Sequence, residues 1–272
     1  MRSLGRIGRG FAAAAAVVSV AGLLGLASPA KAQVSTSQTT SNQLNQLILF
    51  ETTPNKSATG EGYVDASFRY FSFGHDQDNL DDFQFGAQGQ YSFTDQLAVG
   101  GLWSFEHQST DDLGDHTGIN DLIAYGQYKL DQIVPHDAVD LTAQLDLVFP
   151  TGKASEGRGL GHFAVRPWIL AYKAWTVGPG ELGVYGELGV TITTHSDVRI
   201  GLAATYEWQK IVGILEFDDI AGDKRAPSVI FSPGVAYRGI KPLEFLLGIP
   251  IGMNNASPDV GVMVKALWAF QK

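Results

Sequence analysis

From residue 61 to residue 270, hydrophobic and polar side chains alternate along the chain. The clearest stretch is 139–149. Val139, Leu141, Ala143, Leu145, Leu147 and Phe149 share one face; Asp140, Thr142, Gln144, Asp146 and Val148 share the other. A helix would scatter these acids round its circumference, whereas a strand sets them on one side. Segment 83–93 repeats the pattern, with Phe83, Phe85, Ala87, Gly89, Tyr91 and Phe93 opposite Gln84, Gly86, Gln88, Gln90 and Ser92. Similar runs at 61–73, 97–107, 119–130, 162–175, 182–194, 198–209, 211–220, 228–238, 243–252 and 259–270 bring the expected strands to twelve. Pro167 interrupts the run at 162–175.

These runs are long. Globular strands average about five or six residues, and a tilted strand crossing a bilayer needs about nine to eleven. The aromatics also gather at strand ends. Tyr91/Phe93, Tyr128, Tyr172/Trp175, Tyr206/Trp208, Tyr237 and Trp268/Phe270 close the even strands; Phe71/Phe73, Trp103/Phe105, Phe149 and Phe217 close the odd ones. In an up-and-down barrel these form two rings, one at each membrane interface, where a ring with one apolar and one wet end is favoured. Connections after even strands are mostly short and those after odd strands mostly longer and polar, the pattern of periplasmic turns and outer loops. Backbone groups in hydrocarbon must all be paired, so a spanning sheet has to close on itself. The expected fold is therefore all-β, a transmembrane antiparallel up-and-down barrel of about twelve strands over 61–270, in contact with outer-membrane lipid. The last strand is apolar at alternate positions Val260, Val262, Val264, Ala266, Trp268 and Phe270, and resembles the terminal signal read by the barrel-assembly machinery, although Gln271 and Lys272 follow the final aromatic.

The chain ahead of the alternation differs. Arg2, Arg6 and Arg9 precede an uncharged apolar run, Phe11 to Leu26, and Ala30-Lys31-Ala32 places small residues around a cleavage point. Residues 1–32 read as a secretory signal peptide. Residues 33–60 form a polar arm rich in Ser, Thr, Gln and Asn. Leu44, Leu47, Ile48, Leu49 and Phe50 interrupt it at a spacing that suits one or two helical turns with an apolar face, a candidate plug for the pore or a cap on its rim.

Composition narrows the chemistry. The 272 residues hold 19 Lys+Arg, 28 Asp+Glu and no Cys. Loss of residues 1–32 leaves 15 basic against 28 acidic residues, a net −13 that excludes nucleic acid as a partner. The absence of Cys excludes disulfides, thiolate metal sites and thiol nucleophiles. His75, His107, His116, His136, His162 and His195 show no zinc spacing. Gly157-Arg-Gly-Leu-Gly161 lacks the P-loop order and reads as a mobile outer loop. His195 and Ser196 would point to opposite faces of a strand, so they do not make a hydrolase dyad. Asp76, Asp78, Asp81, Asp82, Asp111, Asp112 and Asp115 make an acidic outer rim without the ligand order of a calcium loop. No catalytic residue, metal or cofactor is expected.

Three stretches resemble the outer-membrane transporter family associated with meta-pathway degradation of phenols and similar aromatics: Gly118-Ile-Asn-Asp-Leu122 opening the strand to Leu130, Leu145 to Gly152 ending Phe149-Pro-Thr-Gly152, and Leu243 to Phe270 with Gly248-Ile-Pro-Ile-Gly252. The resemblance implies an outer-membrane barrel that admits hydrophobic compounds, and it names no ligand residue.

Alternation also orients the charges. Asp65, Arg69, Asp121, Lys129, Asp140, Asp146, Glu187, Arg199, Glu207, Glu216, Asp218, Arg238, Glu244 and Lys265 are expected to line the lumen, because a charge facing lipid at mid-depth costs roughly 2–4 kcal/mol. They either brace the barrel as ion pairs or line a polar pathway. The functional expectation is passive uptake of a small-molecule solute; a structural or surface-interaction barrel and a membrane lipid hydrolase are the alternatives.

Overall fold

Strand segments pair edge to edge until the last meets the first. In chain order they are β1 (Glu61–Ser72), β2 (Asp81–Ser92), β3 (Leu97–Thr110), β4 (Gly114–Ile119), β5 (Leu122–Lys129), β6 (Asp140–Phe149), β7 (Ala164–Val177), β8 (Gly180–Thr191), β9 (Asp197–Trp208), β10 (Ile211–Gly222), β11 (Ser228–Ile240), β12 (Leu243–Gly248), β13 (Ile251–Gly252) and β14 (Val260–Gln271). The computed structural model describes residues 44, 46–49, 52–54, 57–74, 80–110, 114–131, 133–134, 139–193, 196–222 and 227–271. The signal-peptide expectation at 1–32, Phe50, Asp76, Asp78, Asp111, Asp112 and the His195 half of the His-Ser pair lie outside these residues.

Every pairing is antiparallel, and β1 closes on β14 in unbroken register from Glu61 opposite Gln271 to Ser72 opposite Val260. The barrel has twelve staves because two of them are built from two segments each. β4 and β5 make one stave, bent at Asn120-Asp121; β12 and β13 make another, interrupted at Ile249-Pro250, where a proline cannot donate to the ladder. Pro167 sits within β7 opposite Leu145, and the strand runs on through it to Val177.

The period-two pattern sets which side faces in. Leu145 is 48% exposed on the outer surface while Gln144, its neighbour, is 5% exposed inside. Val64, Phe85, Ile169, Leu215 and Val264 also face out, and Tyr63, Asp65, Asp146, Glu187 and Glu216 are buried within. A water-soluble sheet buries its apolar face. This one exposes it and buries the polar one, as a bilayer-spanning barrel requires. Tight turns at Gly178-Pro179, Gln209-Lys210 and Lys241-Pro242 lie at one end. The aromatic rings at strand ends hold in part. Phe93, Tyr128, Trp208, Tyr237 and Trp268 are exposed near one end, and Trp103, Phe105, Phe149 and Phe217 toward the other. Tyr172 and Phe71, expected in those rings, fall on the inward phase and pack on the lumen's apolar cluster.

Candidate functional site in the barrel lumen

The inner wall is not polar all round. From β7 to β14 it carries Tyr172, Tyr185, Ala203, Val212, Ile214, Ile230, Ala236, Leu246 and Met263, and these bury Leu44, Leu47, Ile48 and Leu49 of the arm. Leu47 is 0% and Ile48 1% exposed. Transfer of such side chains from water is worth about 1.5–3 kcal/mol each, which favours the segment's place inside. Ile48 seats against Gly234 and Gly248, which face each other across β11 and β12; a methyl on either glycine would collide with it. The two glycines form a notch in the wall.

A chain buried in a barrel needs partners for its main chain, and inward-facing polar groups supply them. Glu216 on β10 accepts the Ile48 N–H at 2.5 Å with one carboxylate oxygen and the Leu49 N–H at 2.6 Å with the other. Lys265 on β14 donates to the Leu47 carbonyl at 2.5 Å and to the Gln46 side chain at 3.3 Å. Arg199 on β9 donates to the Leu49 carbonyl at 2.8 Å. The Leu44 N–H donates to the Tyr185 hydroxyl at 3.0 Å, and Gln46 donates to the Tyr63 hydroxyl at 2.8 Å. Further along, Gln127 donates to the Thr53 carbonyl at 3.0 Å, Thr52 to Gln144 at 2.7 Å, and Lys129 to the Ser57 carbonyl at 3.4 Å. The segment thus touches β1, β5, β6, β8, β9, β10 and β14, most of the circumference. It leaves at Thr59, whose N–H and hydroxyl both donate to Asp95 in the β2–β3 turn, at 2.8 and 2.7 Å. These bonds hold the exposed Asp95 carboxyl below its ordinary value.

Residues 44 and 46–49 form no helical turn among the described residues, contrary to the helical expectation. The physical reason is visible in the contacts: Glu216, Lys265 and Arg199 take the donors and acceptors that a helix would satisfy internally.

The fourteen charges separate into groups. Around the segment stand Glu216, Lys265 and Arg199; Arg199 also pairs with Asp218 at 3.0 Å and Glu187 at 3.2 Å, and lies over the Trp168 ring. Asp146 accepts from Gln144 and from the Trp168 indole N–H at 2.7 Å. Toward the short-turn end Arg238 bridges Glu207 at 3.0 Å and Glu244 at 3.1 Å. Lys129 and Asp140 are half-buried at the ends of β5 and β6. Asp65, Arg69 and Lys265 line a cavity of about 30 Å³ with Gln84 and Gln88, room for a water or two.

Asp121 is buried on the inward phase of the β5 stave, in line with Ile123, Tyr125 and Gln127. It sits in the β4–β5 bend, and its carboxylate accepts the N–H groups of Gly152 at 3.0 Å and Leu160 at 2.6 Å. Beside it Thr151 receives the Leu122 N–H at 2.8 Å and donates to the Asn120 carbonyl at 2.9 Å. Gly157, Gly159 and Gly161 all have left-handed backbone, and a Cβ on Gly159 would strike the Asp121 carboxylate. The 150–161 loop, of which Gly157–Gly161 is expected from sequence to be mobile, is folded round one carboxylate, with Leu160 packed near Ile123, Val148 and Ala164. The two motifs Gly118 to Leu122 and Pro150-Thr-Gly152 act on each other and fix a loop.

Of the acidic rim, Asp81 accepts from Tyr70 and Asp115 from Ser109. Among the described residues no three His, Asp or Glu side chains converge on a metal position. The sequence reading missed the apolar half of the lumen, Tyr185 and the Gly234–Gly248 notch.

Comparison with known proteins bears on the fold. No protein-family model matches the sequence, and no curated protein matches it. The fold is shared with solved outer-membrane barrels. An outer membrane channel from Pseudomonas putida F1 superposes with a TM-score of 0.60 at 13% identity, over 79% of this chain and 97% of that one. KdgM porin gives 0.55 at 8% identity, over 77% and 99%. At these identities the likeness extends to the barrel and no further.

Proposed function

We propose that this protein is an outer-membrane channel for passive uptake of small molecules, exported by residues 1–32 and closed by its own N-terminal segment. One observation carries the reading. Consecutive main-chain groups of Leu47, Ile48 and Leu49 are held by Glu216, Lys265 and Arg199 from three separate strands, so the segment fills the lumen it would have to leave for solute to pass. The cavity beside Lys265, about 30 Å³, is far below the roughly 150 Å³ that holds a benzene-sized guest. The barrels it superposes on, a channel and a porin, support the reading. Hydrophobic or aromatic solutes are the class that the motif resemblance brings. The excess of acidic over basic residues among the fourteen charges, nine to five, favours cations over anions in the open lumen.

Removal of residues 33–58 tests this. Single-channel conductance in planar bilayers should rise well above that of the full chain. Unchanged conductance in a correctly folded barrel would place the segment outside the conducting path and favour the structural-barrel alternative, to which the filled lumen lends itself.

A further inference from the structure

The lumen's charged groups grip the segment by its main chain, and that choice carries information about what else they could hold. Glu216 takes two successive N–H groups, Lys265 and Arg199 take the carbonyls of Leu47 and Leu49, and Tyr185 takes the N–H of Leu44. None of these contacts depends on side-chain identity. Selectivity for side chains resides elsewhere, in the Gly234–Gly248 notch that admits Ile48. Together they form a site with a donor-accepting carboxylate, two cationic donors to carbonyl oxygens, and a socket for a branched aliphatic group.

We propose that, once the segment is displaced, this site binds hydrophobic solutes that carry an amide backbone: short apolar peptides and related amides. The inference rests on the channel reading above and supplies its solute class. A solute of pure hydrocarbon could fill the apolar side of the lumen. It would forfeit every hydrogen bond that Glu216, Lys265 and Arg199 make to the segment, and a site built around hydrogen bonds discriminates strongly against ligands that lack the matching groups. An apolar peptide that takes the same bend restores them all. The chain's own segment is such a peptide, tethered at an effective concentration that keeps competitors out.

The test uses the full-length chain with Ile48→Asp, which expels the segment from an apolar notch and leaves the wall untouched; Ile48→Ser replaces it if that variant does not assemble. Heat-modifiable migration checks the barrel. Three probes are added to the open channel: an acetylated, amidated Gln-Leu-Ile-Leu tetrapeptide matching residues 46–49, the same molecule with esters replacing the two amides whose N–H groups meet Glu216, and benzyl alcohol. The peptide should block the current. The ester form, with two donors to a carboxylate removed, should block about a hundredfold less well, and Glu216→Gln in the same background should narrow that difference. Equal block by peptide and ester, or block by benzyl alcohol but not by peptide, would overturn the solute class and leave the channel intact. A folded Ile48→Asp barrel that opens no more often than the wild type would overturn the channel reading and the solute class with it.

Discussion

Ile48 and Gly248 make a complementary pair whose disturbance should register directly as current. In the closed barrel Ile48 is buried against Gly248 and Gly234. Ile48→Ala removes three methyl or methylene carbons from that contact. Large-to-small changes of this kind cost about 2–5 kcal/mol when the site cannot collapse, and the two glycines of the notch carry no side chain that could move into the gap. When the segment is out, residue 48 stands in water and the substitution costs little. The closed state therefore loses most of that energy, and the open-to-closed ratio should rise at least about 30-fold. Gly248→Ala acts from the other side, because the new methyl would lie within 2.5 Å of an Ile48 methyl carbon; it too should favour the open state. Combined, the substitutions relieve each other, since the added methyl enters space that Ile48 has vacated. Open probability in planar bilayers should be high for each single variant and should fall back toward the wild type in the double variant. If the two effects simply add, or if neither single variant conducts more than the wild type, the packing of Ile48 against the wall does not hold the channel closed.

Other consequences follow from particular contacts. Leu145→Arg should cripple assembly, at roughly 2–4 kcal/mol for a cation on the lipid face, whereas Gln144→Arg, directed inward, should yield a heat-modifiable barrel; equal yields would show that the register is wrong. Asp121→Ala removes the acceptor for Gly152 and Leu160 and should expose the 150–161 loop to trypsin at Lys153 and Arg158 with assembly preserved; unchanged protection would mean that the loop is held by other contacts. Asp95 is an acid whose carboxyl is lowered in the folded state, so its support for Thr59 is complete above the ordinary aspartate range and is lost only as pH falls through the lowered value. Hydrogen exchange at the Thr59 amide should be unaffected by this group from pH 5 to 8, and a change in protection that tracks titration in that window would contradict the assignment.

Most of the barrel is legible in the sequence because the bilayer enforces a simple rule. A strand with water or polar wall on one side and lipid on the other has to alternate, and stretches such as 139–149 do so. The rule weakens where both faces of a strand meet apolar matter. In Ile211-Val-Gly-Ile-Leu215 and Phe245-Leu-Leu247 the alternation dissolves into continuous apolar runs; Val212, Ile214 and Leu246 point inward and pack on Leu44 to Leu49. Those runs are the sign in the sequence that something hydrophobic lies inside the barrel, and they adjoin Glu216 and Glu244, whose charges mark a polar lumen. The helix expected near Leu44 to Leu49 failed for a related reason, since spacing reports only which side chains share a face and says nothing of distant groups that compete for the main chain. Asp121 keeps the inward phase of β5, but what it binds, the main chain of Gly152 and Leu160, lies some thirty to forty residues on and leaves no periodic signal. The glycines of 157–161 are legible only once their left-handed backbone is seen to wrap a carboxylate.

Residues 44 and 46–49 are proposed to act as a reversible plug of the lumen. The chain has no cysteine, so a single engineered disulfide tests it cleanly. A Cβ placed on Gly248 lies within about 3 Å of the Ile48 side-chain carbons, a separation that suits Ile48→Cys with Gly248→Cys. Single-channel conductance of this double variant should vanish under oxidation and appear on addition of a reductant, repeatedly in the same bilayer, while each single-cysteine variant ignores the redox change. Equal current from the cross-linked and reduced forms would show that solute and ions pass without the segment moving, and the account of a self-plugged channel would fail.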